Sequence, residues 1–397
     1  MAMKKQFHTK YLTMILFLLL LTGIFLQNLS ALYEGARQMG YSIVKFGIVN
    51  SSLFESAYNE GFTGKNTFIT ANGAIQRLFG ASVVNERVRL HNGHLTYTID
   101  EYDMQELAQH TVDFRDVLED MDIPFVYVNA PFKIHRTDKQ LPVSVEDYSN
   151  ENADCFLSYL KDAGVTTLDL RDSIDSENID HYSMFYKTDH HWTAEAGLWA
   201  AGKITDFLAA QNADFAVEKS LADPGEYNYT RYENIFMGSA GKRVGPLFIN
   251  RDDFTLVTPK FETNLTFNVD AAGLHREGDF EDVFLFMQHL YSEDPYSSNT
   301  YLVYCNSYFD TIEITNSGVG EDAVVTDKKI LLIRDSYSDV LIPFLSLAYA
   351  QTHVVDLRVF EDDLVEYIKD YDPDIVLVAY NPGAYEDNNR IMFDYLK

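Results

Sequence analysis

The sequence predicts an α/β fold, in which a three-layer arrangement covers a parallel sheet with helices on both faces. Short, fully apolar runs such as 330–333 and 375–379 alternate with amphipathic helical segments in the C-terminal part of the chain. Apolar strands separated by helices are typical of parallel sheets that are buried on both faces. Between about residues 212 and 326 the helices give way to short strands with Gly and Asn turns, which predicts a β-rich insertion.

The hydrophobic periodicity places the elements in order along the chain. Spacing of three and four residues predicts helices at 101–121, 152–163, 193–209, 339–350 and 362–370. Apolar runs predict core strands at 123–129, 166–170, 330–333, 353–357 and 375–379, and strands of the insertion at 254–257, 265–269, 300–304 and 311–314. The pattern at 64–73 also indicates β structure, with Asn72 and Gly73 forming a tight turn.

The N-terminal segment predicts a membrane helix. Lys4, Lys5 and Lys10 precede an apolar run, and this positive flank predicts a cytoplasmic tail at 1–10 and an extracytoplasmic remainder. Residues 11–32 are then an uncleaved signal anchor or a cleaved signal peptide, and the poor cleavage sequence at 29–31 favours the anchor. A linker at 33–59 and a catalytic domain at 60–397 follow, at the cell membrane or, after cleavage, secreted.

Composition and charge exclude some classes of function. The 397-residue chain carries 31 Lys and Arg against 60 Asp and Glu, a formal charge of −29 that is spread along the sequence. No nucleic-acid partner is expected, and a polyanionic substrate is disfavoured unless the binding cleft gathers local Lys or Arg. Cys155 and Cys305 lie among apolar residues, so two buried free thiols are at least as well supported as one disulfide.

Two short strings carry the chemistry. Thr188-Asp-His-His-Trp192 places a carboxylate and an imidazole two residues apart, and Arg334-Asp-Ser-Tyr-Ser338 places a Ser where an apolar strand ends. A Ser becomes a strong nucleophile when a base takes its proton and a carboxylate orients that base. In a parallel α/β sheet, reactive groups gather where strands end and loops begin. Together the strings predict an acyl-transfer triad.

The string at 188–192 resembles the signature of the DHHW proteins, which are similar to the alginate O-acetyltransferases within the SGNH-hydrolase-like superfamily. The stretches 62–66, 85–89 and 334–338 match as well, so the resemblance spans residues 60 to 397. It implies an SGNH-hydrolase-like fold in which Asp189 orients the base His191 and Ser336 is the nucleophile. His190 then occupies the variable position between the pair and is not expected to be catalytic.

Further site residues follow from their positions in the predicted fold. The backbone N–H of Ser336 is one predicted oxyanion donor, and Asn381, which follows the last strand, is the second, with Asn129 as the alternative. Tyr337, Trp192 and Lys133 are predicted to contact the substrate. Core packing of Trp192 and an ordinary solvated loop around Lys133 are the competing interpretations.

Two other patterns have weaker functional interpretations. The three consecutive residues 189–191 have metal-ligand chemistry, but donors at this spacing on a turn seldom point at one ion, so no metal and no cofactor are expected. The string Gly238-Ser-Ala-Gly-Lys-Arg243 is Gly-rich without the spacing of a phosphate loop. It predicts a mobile loop over the cleft rather than a nucleotide site.

The predicted function is an extracytoplasmic O-acetyltransferase that modifies an exopolysaccharide or a cell-wall glycan through an acetyl-Ser intermediate. The resemblance implies a polysaccharide acceptor and a multi-pass membrane acyltransferase that supplies the acetyl group. A carbohydrate acetylesterase is the alternative, because the same triad passes acetyl to water if the cleft admits it. A non-catalytic polysaccharide-binding or assembly protein with this fold is a second alternative.

Overall fold

The structure, a computed structural model, describes residues 2–46, 49, 51–137, 139–297, 299–306, 308–318 and 326–396. Contacts divide the chain into two compact units, Met1–Asn72 and Gly73–Lys397. Over the described residues the helices are α1 Ala2–Gln27, α2 Leu29–Phe46, α3 Ser51–Gly61, α4 Lys65–Leu78, α5 Gln105–Glu119, α6 Ser149–Asp162, α7 Leu170–Ser176, α8 Ala194–Gln211, α9 Ser239–Val244, α10 Phe280–Phe284, α11 Ile342–Leu345 and α12 Leu364–Tyr371. The strands are β1 Val83–Val84, β2 Arg87–Arg89, β3 Leu95–Thr96, β4 Phe125–Asn129, β5 Thr167–Asp169, β6 Tyr227–Phe236, β7 Asp252–Pro259, β8 Leu265–Val269, β9 Leu274–Gly278, β10 Thr311–Asn316, β11 Thr326–Arg334, β12 Tyr349–Val355 and β13 Ile375–Tyr380.

The first unit is helical. In the part of the chain that the structure describes, no single helix has both the length and the hydropathy of a membrane span, and two segments, Tyr11–Gln27 and Leu29–Lys45, meet that test only as a pair bent by 50°. The predicted linker carries α2 and α3. The predicted β structure at 64–73 is wrong, since α4 starts just after Gly64 (φ +89°). Its β-branched residues favour a strand only where a partner strand is available.

An eight-stranded mixed sheet forms the centre of the second unit, in the order β5-β4-β13-β11-β12-β10-β8-β9. The first five strands of this order run parallel, and β10, β8 and β9 extend the sheet in antiparallel pairs. The prediction of a parallel sheet is therefore correct for the five strands outside the insertion. It is wrong for the whole sheet, because the three strands of the insertion make it mixed. Apolar periodicity identifies a strand without specifying its direction, so the sequence did not indicate that the insertion adds to the same sheet.

Two predicted elements around the insertion need correction. Residues 300–304 do not form a strand, because Thr300–Val303 is a 3-10 helix. The predicted helix at 339–350 is broken into a 3-10 helix, Ser336–Val340, and the short α11, and β12 already begins at Tyr349. Pro343 lies at the start of α11, where its missing N–H is tolerated, so it begins a new turn instead of continuing an old one.

Alternate residues of the central strands pack on opposite faces of the sheet. Ile330 and Leu332 join a core cluster that includes residues of α8 and α11, whereas Leu331 and Ile333 join one that includes residues of α5, α6 and α12. The three-layer α/β prediction is confirmed. The carboxyl ends of β11, β13, β4 and β5 lie side by side in this sheet, which brings the segments that follow them to one edge.

The two cysteines are free thiols in different environments. Cys305 is buried and Cys155 is exposed. The predicted burial of Cys155 is wrong, because this residue lies on the solvent-facing side of α6, whose buried side includes Phe156 and Leu160.

Candidate active site

Asp189, His191 and Ser336 form one hydrogen-bonded line. The Nε2 atom of His191 lies 2.8 Å from Oγ of Ser336, and its Nδ1 atom lies 2.5 Å from Oδ1 of Asp189. An ionised carboxylate only accepts, so Nδ1–H is the donor to Asp189 and Nε2 of the neutral ring is left to accept from the Ser336 hydroxyl. Ser336 is partly exposed and His191 retains 11% side-chain exposure. The geometry is that of a nucleophile, a base and the carboxylate that orients the base.

The Asp189 carboxylate is buried, with 3% of its side chain exposed, and is fully engaged. Its Oδ1 also accepts from the backbone N–H of His191, and its Oδ2 accepts from the backbone N–H of Ser239 at 2.5 Å. Burial alone raises the pKa of Asp189, but the neighbouring His191 and His190 and the hydrogen bonds from His191 outweigh burial and hold that pKa well below its usual range. Asp189 therefore stays ionised.

Residues 186–191, called here the acid–base segment, form a loop closed by a bridge between Phe185 and Trp192. Such a loop has carbonyl groups that no strand partner satisfies. The ammonium of Lys133 supplies the missing donors, since its Nζ lies 2.5 Å from the carbonyl oxygens of Tyr186 and Asp189 and 2.6 Å from that of Leu95. Lys133 is completely buried, and burial lowers its pKa to about 7 against the opposing attraction of Asp252 and Asp189.

Asp252 holds the other side of the acid–base segment. Its carboxylate accepts from the backbone N–H groups of Lys187 and Thr188, at 2.9 and 2.7 Å, and from the hydroxyl of Thr188 at 2.6 Å. Burial raises the pKa of Asp252 while these three hydrogen bonds and Lys133 oppose the rise. Donors to the carbonyls on one side and acceptors for the N–H groups on the other therefore fix the backbone that carries Asp189 and His191.

The Gly-rich string 238–243 packs directly against this segment, so its prediction as a mobile loop over the cleft is wrong. Its residues 239–243 form most of the short helix α9, and a Cβ at Gly238 would lie 2.3 Å from Cβ of Asp189. A Cβ at Gly241 would lie 2.8 Å from Cβ of Thr188. The two glycines are needed for close packing, which lets the Ser239 N–H reach the Asp189 carboxylate.

Residues 334–338, called here the nucleophile turn, begin at the last residue of β11. Asp335 caps the 3-10 helix that begins at Ser336, with Oδ1 accepting from the Tyr337 N–H at 2.9 Å. Its Oδ2 accepts from the backbone N–H of Asn381 at 2.8 Å and from the Asn381 side chain at 2.6 Å. Burial raises the pKa of Asp335 against these hydrogen bonds and the charge of Arg358. Asp335 thus ties the nucleophile turn to the end of β13.

Arg334 directly precedes the Asp-Ser pair of the nucleophile turn. Its side chain turns into the interior and lies 3.0 Å from Oδ1 of Asp339 and 3.6 Å from Oδ2 of Asp356. Asp356 also binds Arg358 at 2.6 Å. The guanidinium of Arg334 therefore pairs with buried carboxylates. Asp335 still binds Asn381 with an Arg at position 334.

The predicted substrate contacts are engaged inside the protein. The indole of Trp192 donates to the carbonyl of Tyr337 at 2.7 Å, and the hydroxyl of Tyr337 donates to the carbonyl of His190 at 2.6 Å. Both side chains are 1% exposed. These two hydrogen bonds join residues 190–192 to the nucleophile turn, and Lys133 binds the carbonyls of the acid–base segment. A substrate contact of Trp192, Tyr337 or Lys133 stays a prediction.

Tyr301 is a site residue that sequence reasoning missed. Its ring stacks on the His191 imidazole at 4.0 Å between centroids and 10° between planes, and its hydroxyl donates to the Tyr337 carbonyl at 3.1 Å. The residue lies in the stretch predicted as a strand of the insertion. Its apolar neighbours carried no signal for this contact, because the contact depends on how the insertion folds back on the catalytic histidine.

The two predicted side-chain oxyanion donors have interior partners. Asn381 donates one Nδ2 hydrogen to Asp335 and accepts from the Gly383 N–H at 2.7 Å. Asn129 is buried and donates to Asp169 at 3.0 Å. An amide carries two N–H hydrogens, and Asn381 uses one of them for Asp335, so its oxyanion role stays a prediction.

A cleft of about 920 Å³ lies beside the triad, lined in part by His190, Tyr97, Ser239, Arg87 and Arg243. The His190 ring lies 3.8 Å from the His191 ring between centroids, and its Nδ1 is 3.0 Å from the Ser239 hydroxyl. Burial, and then the neighbouring His191, lowers the pKa of His190 to about 3. A neutral imidazole therefore lies between the reactive histidine and the cleft.

Two further predictions concern charged groups near the site. The ligand atoms of Asp189, His190 and His191 lie within 4.8 Å of one another, a distance that one cation can bridge, although Asp189 and His191 already hydrogen-bond to each other. His135 and Arg136, which follow Lys133, both pair with Asp175 at the surface. The interpretation of a solvated loop around Lys133 is therefore wrong for Lys133, which is buried, although His135 and Arg136 are partly exposed.

Comparisons with known proteins give a matching family model and similar folds. Residues 91–229 match the family model of the SGNH hydrolase-like domain of acetyltransferase AlgX. The match spans about a third of the chain, includes Lys133, Asp189 and His191, and ends before Ser336. No curated protein matches the chain. The resemblance to the O-acetyltransferases is confirmed, and with it the prediction of an SGNH-type acyltransferase or esterase.

Solved structures extend the likeness of the fold to most of the chain. The structure of Bacillus cereus PatB1 is 18% identical, with a TM-score of 0.61, and covers 79% of this chain and 98% of that one. A DHHW family protein from Eubacterium siraeum is 17% identical, with a TM-score of 0.58, and covers 79% of this chain and 97% of that one. Both share the α/β fold of this chain.

Proposed function

We propose that the chain is an extracytoplasmic O-acetyltransferase that acts on an exopolysaccharide or a cell-wall glycan through Ser336, His191 and Asp189. The observation that carries the proposal is the 2.8 Å distance between Ser336 Oγ and His191 Nε2, in line with the 2.5 Å contact between His191 and Asp189. Ser336 is partly exposed, so an acyl donor has access to it. The match to an acetyltransferase domain supports acetyl as the transferred group.

In the first half-reaction, His191 Nε2 takes the proton of Ser336 while Oγ forms a bond to the carbonyl carbon of the acetyl donor. Asp189 stabilises the imidazolium that results. His191 then gives this proton to the leaving group as the bond between the acetyl carbon and that group breaks. An acetyl ester of Ser336 remains, and the predicted oxyanion donors are the Ser336 N–H and Asn381.

In the second half-reaction, a glycan hydroxyl is the acceptor. His191 takes its proton while the hydroxyl oxygen attacks the acetyl carbon, and Ser336 Oγ leaves and regains a proton from His191. The cleft beside His190 suits a glycan, because it is lined largely by polar side chains and by the Tyr97 ring. Water in place of the hydroxyl gives the esterase reaction, which is the alternative function.

The nucleophile is tested by covalent labelling. PatB1 has been solved with a sulfonyl adduct, and a sulfonyl fluoride is expected to add one sulfonyl group to this chain at Ser336. Intact-mass and peptide analysis would locate the label. Ser336→Ala should abolish labelling and the turnover of a chromogenic acetyl ester, while Ser338→Ala, at the other Ser of the turn, should still be labelled. Equal labelling of wild type and Ser336→Ala would refute the triad.

The choice between transferase and esterase needs an acceptor. We expect the full chain, given an acetyl ester and a neutral or acidic oligosaccharide, to produce a product heavier by one acetyl group in mass spectrometry. Wild-type chain should do so, and His191→Ala should not. Free acetate as the sole product across a panel of acceptors would establish the esterase instead.

The location and the acetyl source complete the proposal. We place α1 at the cell membrane, with the catalytic domain outside the cytoplasm and a multi-pass membrane acyltransferase as the acetyl donor. The apolar N-terminal sequence after three lysines supports this orientation. Protease added to intact cells should digest the domain. Protection of the domain until the cells are lysed would contradict the location.

A further inference from the structure

His190 has one ring nitrogen that the fold engages and one that it leaves to the cleft. Its Nδ1 lies 3.0 Å from the Ser239 hydroxyl and 3.4 Å from Oδ1 of Asp189. A lone pair on Nδ1 would face the ionised carboxylate, so Nδ1 carries the hydrogen of the neutral ring and Nε2 is an acceptor. No hydrogen bond joins Nε2 to any residue in the part of the chain that the structure describes. Because 28% of the His190 side chain is exposed and the residue lines the cleft beside the triad, Nε2 is the nitrogen open to a ligand.

The imidazole of His190 is held rigidly. The hydroxyl of Tyr337 donates to the His190 carbonyl at 2.6 Å, and the rings of His191 and Tyr97 pack against the imidazole at 3.8 and 6.1 Å between centroids. Its low pKa of about 3, which burial and then the neighbouring His191 cause, keeps the ring uncharged. An acceptor that is already fixed in position loses little conformational entropy when a ligand binds.

A hydrogen-bond acceptor at this point distinguishes the two substrates of the proposed reaction. The acetyl group of the donor has acceptor oxygens only, whereas a glycan hydroxyl donates a hydrogen. The hydroxyl that becomes acetylated gives its hydrogen to His191, so the glycan must offer a second hydroxyl to His190. The two imidazole rings lie 3.8 Å apart, which favours a second hydroxyl on the neighbouring carbon of the sugar.

We propose that His190 binds the hydroxyl adjacent to the one that is acetylated, so that the acceptor presents a vicinal diol to His190 and His191. The inference rests on the proposed function and adds a specificity-determining residue to it. His190 takes no proton in the reaction, because its Nε2 only accepts a hydrogen bond while the proton of the attacking hydroxyl still goes to His191. The Asp189 carboxylate then faces Nδ1 of both imidazoles, at 2.5 and 3.4 Å.

The inference is tested by competition between alcohols for the acetyl-enzyme. The full chain in detergent is given a chromogenic acetyl ester together with trans-1,2-cyclohexanediol or with trans-2-methoxycyclohexanol, in which a methyl ether replaces the second O–H. Chromatography quantifies the acetylated alcohol and the free acetate. After correction for the two equivalent hydroxyls of the diol, we expect the diol to be acetylated about fivefold more efficiently than the ether, which is the effect of one hydrogen bond.

Two substitutions separate the roles of the two ring nitrogens. His190→Asn keeps an amide near the position of Nδ1 and has no atom at the position of Nε2, so the preference for the diol should disappear. His190→Gln carries its amide oxygen to the position of Nε2 and should retain a preference. His110→Gln, at an exposed histidine of α5, is the matched control and should keep the wild-type ratio. A purely structural role of His190 would slow both alcohols equally and leave this ratio unchanged.

Equal acetylation of the diol and the ether by the wild-type chain, or an unchanged preference in His190→Asn, would overturn the inference. Free acetate as the sole product with both alcohols would instead refute the proposed transferase. The ¹⁵N resonance of His190 Nε2 in the Ser336→Ala chain then decides the inference without turnover. A shift caused by the diol and not by the ether would support it, whereas equal responses to the two compounds would overturn it.

Discussion

The two halves of the triad are held in place by different means. The acid–base segment is an irregular loop that is fixed by buried charges, with Lys133 binding its carbonyls and Asp252 binding its N–H groups. The nucleophile turn begins at the last residue of β11, whose backbone pairs with β12 and β13. The buried carboxylate of Asp335 caps this turn.

The difference has a simple physical origin. A strand satisfies its backbone in the sheet, so the residue after it is already positioned and needs only a cap. A buried loop has unpaired carbonyls and N–H groups, each of which costs free energy unless a side chain supplies a partner. The backbone of the acid–base segment therefore takes hydrogen-bond partners from the side chains of Lys133 and Asp252, whereas the backbone of β11 takes its partners from the sheet.

The largest expected effect comes from the acid itself. Asp189→Asn should lower kcat for an acetyl ester about 10⁴-fold, because the amide can donate to His191 Nδ1 and favour the wrong tautomer of the base. Circular dichroism should show an intact fold. A loss of less than tenfold would mean that Asp189 does not orient His191.

An Asp-to-Asn substitution beside the nucleophile should lower kcat less than Asp189→Asn does. Asp335→Asn weakens the cap on Tyr337 and the ties to Asn381, and displacement of Ser336 should lower kcat by about 10²-fold. The exposed Asp370→Asn is the control and should be silent. Equal losses at Asp335 and Asp189 would remove the proposed difference between the two halves.

Lys133→Met tests the buried ammonium that binds the carbonyls of the acid–base segment. The variant leaves buried carbonyls without donors, so we expect kcat to fall about tenfold with KM within about twofold, and the free energy of unfolding to fall by about 3 kcal/mol. Arg334→Met removes the buried charge beside the nucleophile turn. Its effect on kcat should be smaller than that of Lys133→Met, because the Asp356 carboxylate keeps its ion pair with Arg358. A larger kcat loss for Arg334→Met would reverse the comparison.

The smallest effect concerns pH and His190. Its folded pKa of about 3 lies below its ordinary value of 6.5, so the unfolded chain takes the proton first and the folded state loses stability as pH falls through that window. His190→Gln should reduce the loss of stability between pH 7 and pH 5 by about 1 to 2 kcal/mol in urea unfolding. Identical losses in both proteins would show that His190 is not held neutral.

Particular residues show how far the sequence could be interpreted. Helix α8 begins where the periodicity predicted a helix at 193–209, and the hydroxyl of Thr193 caps its start by accepting from the Ala196 N–H. The core strands β4, β11 and β13 lie where apolar runs predicted them. Capping and apolar burial are local properties, so a single sequence carries them.

Contacts between distant segments were not predictable in the same way. Lys133 was predicted as a substrate contact, but its Nζ binds the carbonyls of a loop some 53 to 56 residues away. Asp252, Asp335 and Tyr301 gave no recognisable signal. Nothing in a residue's own neighbourhood indicates which remote backbone groups will lack a partner once the chain has folded.

By itself, the sequence determined the alternation of strands and helices, the overall acidity, and the three residue types from which a triad can be built. The tertiary structure alone decided that His191 lies 2.8 Å from Ser336 and that three strands of the insertion join the central sheet. The reason is that propensity and burial act over a few residues, whereas the satisfaction of buried polar groups and charges is settled only when distant segments meet.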